Sequence, residues 1–314
     1  MNPHEPAGPP QGRIPERAAR RLPDAPRRGP ALALTFNALV WGLSWWPLRR
    51  LEMAGLHPLW ATALIYIVAV LAISAARPAA WRELCTHPAL WLLVLASGTT
   101  NAAFNWAVTI GDVVRVVLLF YLMPLWAVLL ARLLLKERLT TAALLRVALG
   151  LAGAMVILWP TGGGLPLPHT LAEGLGVIGG FSFALNNVML RREAARSEGA
   201  RALAMFGGGA LVAGTLAVLL APGGTVPAIP PPAPGWILGA LALALCFLCA
   251  NLALQYGAAR LPANATAVIM LVEVLFASAS ALALGAGTLD VRLALGGAAV
   301  LAAALLAARE QSQR

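Results

Sequence analysis

Amide and aromatic side chains recur on single helix faces within the apolar segments of this chain. The first such segment carries Asn37, Trp41, Ser44 and Trp45. Their spacing of i, i+4, i+7 and i+8 places them on one face of a helix. Amides could bind the polar part of a small molecule, and rings could accept an apolar or aromatic side chain. The same combination recurs further along, in Tyr66, Asn101, Phe104, Asn105, Tyr121, Phe183, Asn186, Asn187, Asn251, Gln255 and Tyr256.

Each of these amides has a second interpretation, because asparagine and glutamine between apolar helices also hydrogen-bond neighbouring helices without binding anything. For one residue alone the two interpretations have equal weight. Four segments that repeat the pattern favour a cavity lined by amides and rings.

Charged side chains inside the apolar segments are few, and Glu273 is the one that falls near the middle of its segment. A carboxyl group there is costly and indicates a functional site, such as a proton or polar site. A protonated Glu bonded to a neighbouring helix is the equal alternative. Asp112 and Arg115, spaced i and i+3 at the start of another segment, are predicted to pair with each other.

Several kinds of chemistry lack their motifs. No Gly-x-x-x-x-Gly-Lys-Ser/Thr motif is present, so ATP is not expected as the direct energy source. The four histidines are scattered, and Cys246 and Cys249 lie in an apolar segment without a second pair, so neither a metal site nor any cofactor is expected. The net charge of +10 would suggest nucleic acid in a soluble protein, but the distribution of the charges explains it otherwise.

The positioning elements are ten apolar stretches, each long enough to cross a bilayer as a helix. They cover residues 31–48, 58–76, 88–110, 113–134, 141–159, 171–190, 202–221, 235–257, 262–284 and 291–308. The chain is 60% hydrophobic and 11% charged, where soluble domains carry about 25% charged residues. We therefore predict an all-α membrane protein with ten transmembrane helices.

The basic residues alternate between the gaps. When each Lys or Arg inside a stretch is assigned to the gap at its nearer end, only Arg49, Arg50, Arg115 and Arg292 of the 23 basic residues belong to odd-numbered gaps. Because basic residues stay on the cytoplasmic side, both termini should be cytoplasmic in a bacterial inner membrane. Residues 1–30 are predicted to be a disordered cytoplasmic tail, and 309–314 a short cytoplasmic tail.

A Pro- and Gly-rich linker, residues 160–170, divides the stretches five and five, into repeats 31–159 and 171–308. Asn101-Ala-Ala-Phe-Asn-Trp is echoed 150 residues later by Asn251-Leu-Ala-Leu-Gln-Tyr. An odd number of helices per half inverts the second half. The pattern predicts two inverted five-helix repeats, the arrangement of many secondary transporters, with a periplasmic linker between them.

One segment resembles a known family. Residues 118–140, from Leu118 through Tyr121-Leu-Met-Pro124 to Lys136-Glu-Arg-Leu-Thr140, are similar to the fourth span and following loop of the EamA family, in the drug/metabolite transporter superfamily. Within that family, Ala-Leu-Val-Trp41, Tyr-Leu-Met-Pro124 and Ile-Gly-Gly-Phe-Ser-Phe183 resemble the YddG-type aromatic amino-acid exporters. The ninth span departs from the family pattern, with Glu273-Val274 in place of Glu-Pro.

The resemblance implies that Trp41, Tyr121 and Phe183 contact substrate, while the repeated faces alone suggest Asn101 and Tyr256. The predicted site consists of Trp41, Asn101, Asn105, Tyr121, Phe183, Asn187, Gln255 and Tyr256, with Glu273 as the proton or polar site. No catalytic residue is predicted.

The expected function is a secondary transporter, an exporter or facilitator of amino acids that are aromatic or otherwise neutral and hydrophobic. Alternatives in the same class are a carrier of lipophilic cations or of another metabolite. An intramembrane enzyme is a different class, and it would need a nucleophile and base or a metal pair within the segments. We expect a monomer whose partners are the lipid bilayer and its substrate, without nucleic acid.

Overall fold

The computed structural model describes residues 28–134, 136, 141–159, 167–258, 260 and 269–310. Its helices are α1 (Arg28–Leu43), α2 (Trp45–Met53), α3 (Pro58–Ala76), α4 (Ala79–Thr86), α5 (Ala89–Ile110), α6 (Val113–Phe120), α7 (Met123–Leu134), α8 (Thr141–Leu158), α9 (Leu171–Arg192), α10 (Glu198–Leu220), α11 (Pro234–Ala258), α12 (Val272–Ala283) and α13 (Val291–Glu310). Within these ranges the fold is all-helical and contains no strand.

The predicted boundaries need one correction. α1 begins at Arg28, inside the stretch that was predicted to be a tail. Pro30 does not prevent this, because the first turn of a helix has no intrahelical partner for its N–H groups. The rest of that tail, residues 160–166 of the linker and residues 311–314 lie outside the described residues.

Five of the described helical stretches are long and apolar enough to cross a membrane: Gly29–Met53, Pro58–Ala76, Val113–Leu134, Glu198–Leu220 and Pro234–Leu254. Shorter apolar helices cover Val147–Leu158, Val272–Ala283 and Val291–Ala303. Large apolar side chains face outward, as in Leu133, which is 73% exposed. These lengths and compositions are consistent with a multi-pass membrane protein, and the count of ten crossings stays a prediction.

Two predicted spans are each broken into two helices, and prolines explain both breaks. A proline ring clashes with the carbonyl four residues earlier and lacks the N–H to bond it. Pro47 lies four residues after Leu43, where α1 ends, and Pro124 lies four residues after Phe120, where α6 ends. A third break, at Leu271 just before α12, has no proline.

The helices of the two halves interleave rather than forming separate bundles. α1 packs on α11 and α12, α3 on α10, α5 on α9 and α10, α6 and α7 on α9, and α8 on α13. The main apolar core runs through the centre of this assembly and includes rings from both halves.

Glycines allow two of these helix pairs to approach closely. A Cβ atom at Gly208 on α10 would collide with the main chain of Val94 and Gly98 on α5. On the α8–α13 pair, a Cβ at Gly153 would lie 2.6 Å from the carbonyl oxygen of Gly296, and one at Gly296 would lie 2.7 Å from that of Gly153. Small residues at such contacts are typical of membrane helices.

Candidate functional site

Six side chains from six parts of the fold converge in the core, and we call them the central cluster. They are Trp41 on α1, Tyr66 on α3, Asn101 on α5, Tyr121 between α6 and α7, Phe183 on α9 and Glu273 on α12. The four aromatic members belong to, or pack against, one apolar core. They form two groups of three, Trp41–Tyr66–Asn101 and Phe183–Tyr121–Glu273, and within each group neighbouring members touch directly or through one intervening ring.

One side of the cluster consists of stacked rings and one amide. Trp41 stacks on Phe247, with ring centres 4.4 Å apart and planes 16° apart. Tyr66 meets the edge of the same ring at 6.4 Å. Its hydroxyl group donates to Oδ1 of Asn101, whose Nδ2 donates to the carbonyl oxygen of Ser97 at 2.8 Å. Asn101 therefore has protein partners at both ends of its amide and holds the Tyr66 ring in place.

The other side of the cluster centres on the helix break after α6. Phe120 contacts Phe104 at 4.7 Å, Phe183 at 5.4 Å and Tyr121 at 6.1 Å between ring centres. The Tyr121 hydroxyl group lies 3.4 Å from the carbonyl oxygen of Met270. The residues beside two helix breaks thus face each other within the core.

Glu273 lies in the first turn of α12, two residues after the helix break at Leu271. Its carboxyl group hydrogen-bonds with the Tyr121 hydroxyl group. Protein surrounds it, yet part of its surface remains accessible, as expected for a side chain that lines an internal space. α1 passes close by, since a Cβ at Gly42 would lie 2.8 Å from the Glu273 carbonyl oxygen. The start of a helix favours negative charge.

Three of the other predicted residues lie outside this cluster. Asn105 is fully buried and donates to the Thr62 hydroxyl group at 3.0 Å, a contact between helices. Asn187 is exposed and accepts from Asn186. Tyr256 is 44% exposed, and the Arg260 guanidinium lies 4.1 Å from its ring centre. The side chain of Gln255 lies outside the described residues.

Sequence reasoning missed Phe247 and Phe120, the rings that join members of the cluster within each of its two sides. Phe247 lies between two cysteines in a helix that is apolar on every face, so no periodic signal marked it. Phe120 precedes Tyr121 in the segment that carries the family resemblance, but it is one apolar residue in an apolar run, so its type and spacing do not distinguish it.

A polar network lies beyond the carboxyl end of α5. Arg115 forms a salt bridge of 2.8 Å with Glu173, and Glu173 also caps the start of α9 with Thr170. The predicted pairing of Asp112 with the Arg115 side chain is therefore wrong. Asp112 caps α6 by accepting the Arg115 main-chain N–H, and it also binds the N–H and hydroxyl groups of Thr288.

A second polar network lies at the opposite end of α5. Glu83 on α4 accepts from the hydroxyl and N–H groups of Ser197, the residue that caps α10. The hydrogen bond from the Ser197 hydroxyl group lowers the pKa of Glu83, and the main-chain bond adds to the effect. In the same network, Nη1 of Arg196 lies 2.7 Å from Nε2 of His87.

The described residues contain no group of three His, Cys, Asp or Glu side chains that could hold a metal ion. The arrangement at the centre is one of rings, one amide and one carboxyl group. It suits a small molecule with an apolar body and a polar end.

Comparison with known proteins finds a family match in the first part of the chain. Residues 29–159 match the EamA-like transporter family, which confirms the resemblance over that part. An uncharacterized transporter of Pseudomonas aeruginosa is 34% identical over 143 residues. The match covers 43% of this chain and 48% of that relative, so it spans about half of the relative's length.

One crystal structure of another protein shares the fold. It aligns with a TM-score of 0.53 over 90% of this chain and 99% of that chain, at 19% sequence identity. At this identity the likeness concerns the fold alone.

Proposed function

We propose that the protein is a secondary transporter that moves amino acids through the central cluster by alternating access. Its substrates are aromatic and other neutral hydrophobic amino acids. The observation that carries the proposal is the meeting of two helix breaks, at Tyr121 and Leu271, beside rings and a carboxyl group in the core. Broken helices near the bilayer midplane form the substrate sites of many secondary transporters.

The helix pairing supports two inverted repeats of five spans. If each of the first five predicted spans is replaced by its counterpart among the last five, the main helix contacts are kept. The contact between α5 and α9 becomes the contact between α11 and α1, and the contacts α3–α10 and α8–α13 are each their own counterparts. The breaks obey the same rule, because Tyr121 and Leu271 are separated by the offset of 150 residues. Rocking of one repeat against the other would expose the cluster to each side in turn.

Energy would come from a substrate or ion gradient. The matched family and the relative's name support a transporter rather than an enzyme. Direction of transport, outward in a bacterial inner membrane with both termini cytoplasmic, rests on the resemblance and on the distribution of basic residues.

Flux of labelled phenylalanine, leucine and glycine into proteoliposomes tests the proposal, with and without an imposed pH gradient. We expect phenylalanine to be carried best. Trp41→Ala should weaken its apparent affinity by roughly three- to tenfold, the effect of losing a stacking ring. Trp46→Ala is the matched control, since Trp46 is 45% exposed and lies outside the cluster.

A carrier of lipophilic cations is the second candidate, and Glu273 among aromatic rings is the observation that favours it. Tetraphenylphosphonium serves as the competing substrate. If it is carried and phenylalanine is not, the amino-acid assignment is wrong. If Trp41→Ala and Trp46→Ala behave alike, the site lies elsewhere.

A further inference from the structure

We propose that the Glu273 carboxylate and the Tyr121 hydroxyl group together dock the protonated amino group of the substrate. The site then selects for an ammonium group and not for a carboxylate, so aromatic primary amines bind as well as aromatic amino acids. The inference deepens the proposed function and rests on the central cluster being the transport site.

The polar groups at this point are matched to an ammonium ion. An alkylammonium has three N–H donors and no acceptor. Glu273 offers carboxylate oxygens, Tyr121 offers its hydroxyl oxygen, and the Met270 carbonyl oxygen lies 3.4 Å from that hydroxyl group. The groups that meet at the helix break are therefore chiefly acceptors.

No matching set of positively charged side chains is seen for a substrate carboxylate among the described residues at this point. Among the described side chains, no Lys or Arg forms an ion pair with Glu273 or belongs to the central cluster. Two arginines at the end of α5 are engaged elsewhere: Arg49 donates to the carbonyl oxygens of Val108 and Gly111, and Arg115 pairs with Glu173. The side chains that a carboxylate would meet are rings and another carboxylate, and, among the described residues, the start of α12 is the one group at this point that attracts negative charge.

The surrounding rings favour a cation as well. α1 passes the start of α12 at Gly42, and the Phe183 ring approaches Tyr121 through Phe120. Aromatic faces attract an ammonium group through their quadrupoles. A carboxylate in the membrane interior is costly without a charged or hydrogen-bonding partner. An ammonium group that pairs with Glu273 removes part of this cost, and this favours its binding.

Equilibrium binding to the purified full-length protein tests the inference with three related probes. Phenethylamine has the ammonium and lacks the carboxylate, 3-phenylpropionate has the reverse, and phenylalanine has both. We expect phenethylamine to bind within about threefold of phenylalanine and 3-phenylpropionate to bind at least tenfold more weakly, the loss expected for a hydrogen bond to a charged group. Equal binding of phenethylamine and 3-phenylpropionate overturns the inference.

The variants locate the effect. Glu273→Gln should weaken phenethylamine binding by roughly tenfold or more, Glu273→Asp should recover part of it, and Glu52→Gln, on α2, should leave it unchanged. Unchanged binding in Glu273→Gln overturns the inference. If Glu273→Gln does not fold, the comparison of the three probes on the unaltered protein still decides the matter.

The two proposals fail separately. If phenylalanine is carried and Glu273→Gln binds both amines normally, the docking role is wrong and the transport function stands. If phenylalanine is not carried while phenethylamine binding depends on Glu273, the amino-acid function is wrong and the ammonium site stands.

Discussion

The Tyr121 hydroxyl group lies 3.4 Å from the main-chain carbonyl oxygen of Met270, and each of the two residues adjoins a point where a helix breaks. The contact joins residues 149 positions apart along the chain. Because a broken helix leaves carbonyl groups without their usual partners, the tyrosine satisfies one of them from the opposite half of the protein.

Tyr121→Phe removes this contact and the hydrogen bond with the Glu273 carboxyl group, with little change in volume. We expect a loss of about 1–2 kcal/mol of stability, since one hydrogen bond contributes about 1 kcal/mol net. Thermal unfolding in detergent measures it, and Tyr256→Phe is the matched control because Tyr256 is exposed. Equal unfolding temperatures for the two variants would show that the contact contributes nothing.

The glycine run in α10 provides a matched pair of substitutions. A Cβ at Gly208 would strike the main chain of Val94, whereas a Cβ at Gly207 meets nothing within 4 Å. Gly208→Ala should destabilise the protein by about 1–3 kcal/mol through overpacking. Gly207→Ala should be neutral or slightly stabilising, because alanine favours helix. The prediction fails if the two variants unfold at the same temperature.

Acidification should weaken the contact between Glu83 and Ser197. The pKa of Glu83 is lowered in the folded protein, so its contribution to stability is complete above the unfolded value of 4.5 and is lost as the pH falls through the lower folded value. The difference in unfolding temperature between the parent and Glu83→Gln should therefore shrink between about pH 7 and about pH 3.

A double-mutant cycle assigns the effect. Ser197→Ala should remove most of the same pH-dependent difference, and the double variant should add little to either single change. Additive losses would mean that Glu83 acts through another partner.

Cysteine labelling checks the predicted orientation. Gly223 is exposed, lies in the turn after α10, and has negative φ, so cysteine fits there. With Cys246 and Cys249 changed to serine, Gly223→Cys should react with an impermeant thiol reagent from the periplasm. The native Cys85, also exposed, is the internal control and should react only after the inner membrane is opened. The reverse pattern would invert the topology.

Proline chemistry made part of the fold predictable from sequence. Pro47 and Pro124 each place a helix break four residues earlier. Trp41, Tyr121 and Phe183 lie in or against one apolar core, and their contact with substrate, which the family resemblance implied, stays a prediction. The break at Leu271 was not predictable in this way, because Val274 stands where Pro124 stands in the first half.

Position along a helix explains why Tyr256 lies apart from the cluster. It is nine residues beyond Phe247 on α11, about 13 Å along the helix axis at 1.5 Å per residue. Face periodicity gives direction around a helix and says little about depth. Local capping explains the partner of Arg115: Asp112 is occupied as the cap of α6, so the guanidinium turns to Glu173.

The glycine contact between α8 and α13 has a consequence for biosynthesis. Gly153 and Gly296 each lie against the main chain of the other, yet nearly half of the chain separates them in sequence. Because ribosomes add roughly 5–20 residues per second, α8 waits on the order of 10 s for its partner to emerge. During that interval the glycine face of α8 is accessible to other helices. A chain released by a ribosome that stops before Val291 would lack α13, and its α8 could then pair with another helix that presents small residues.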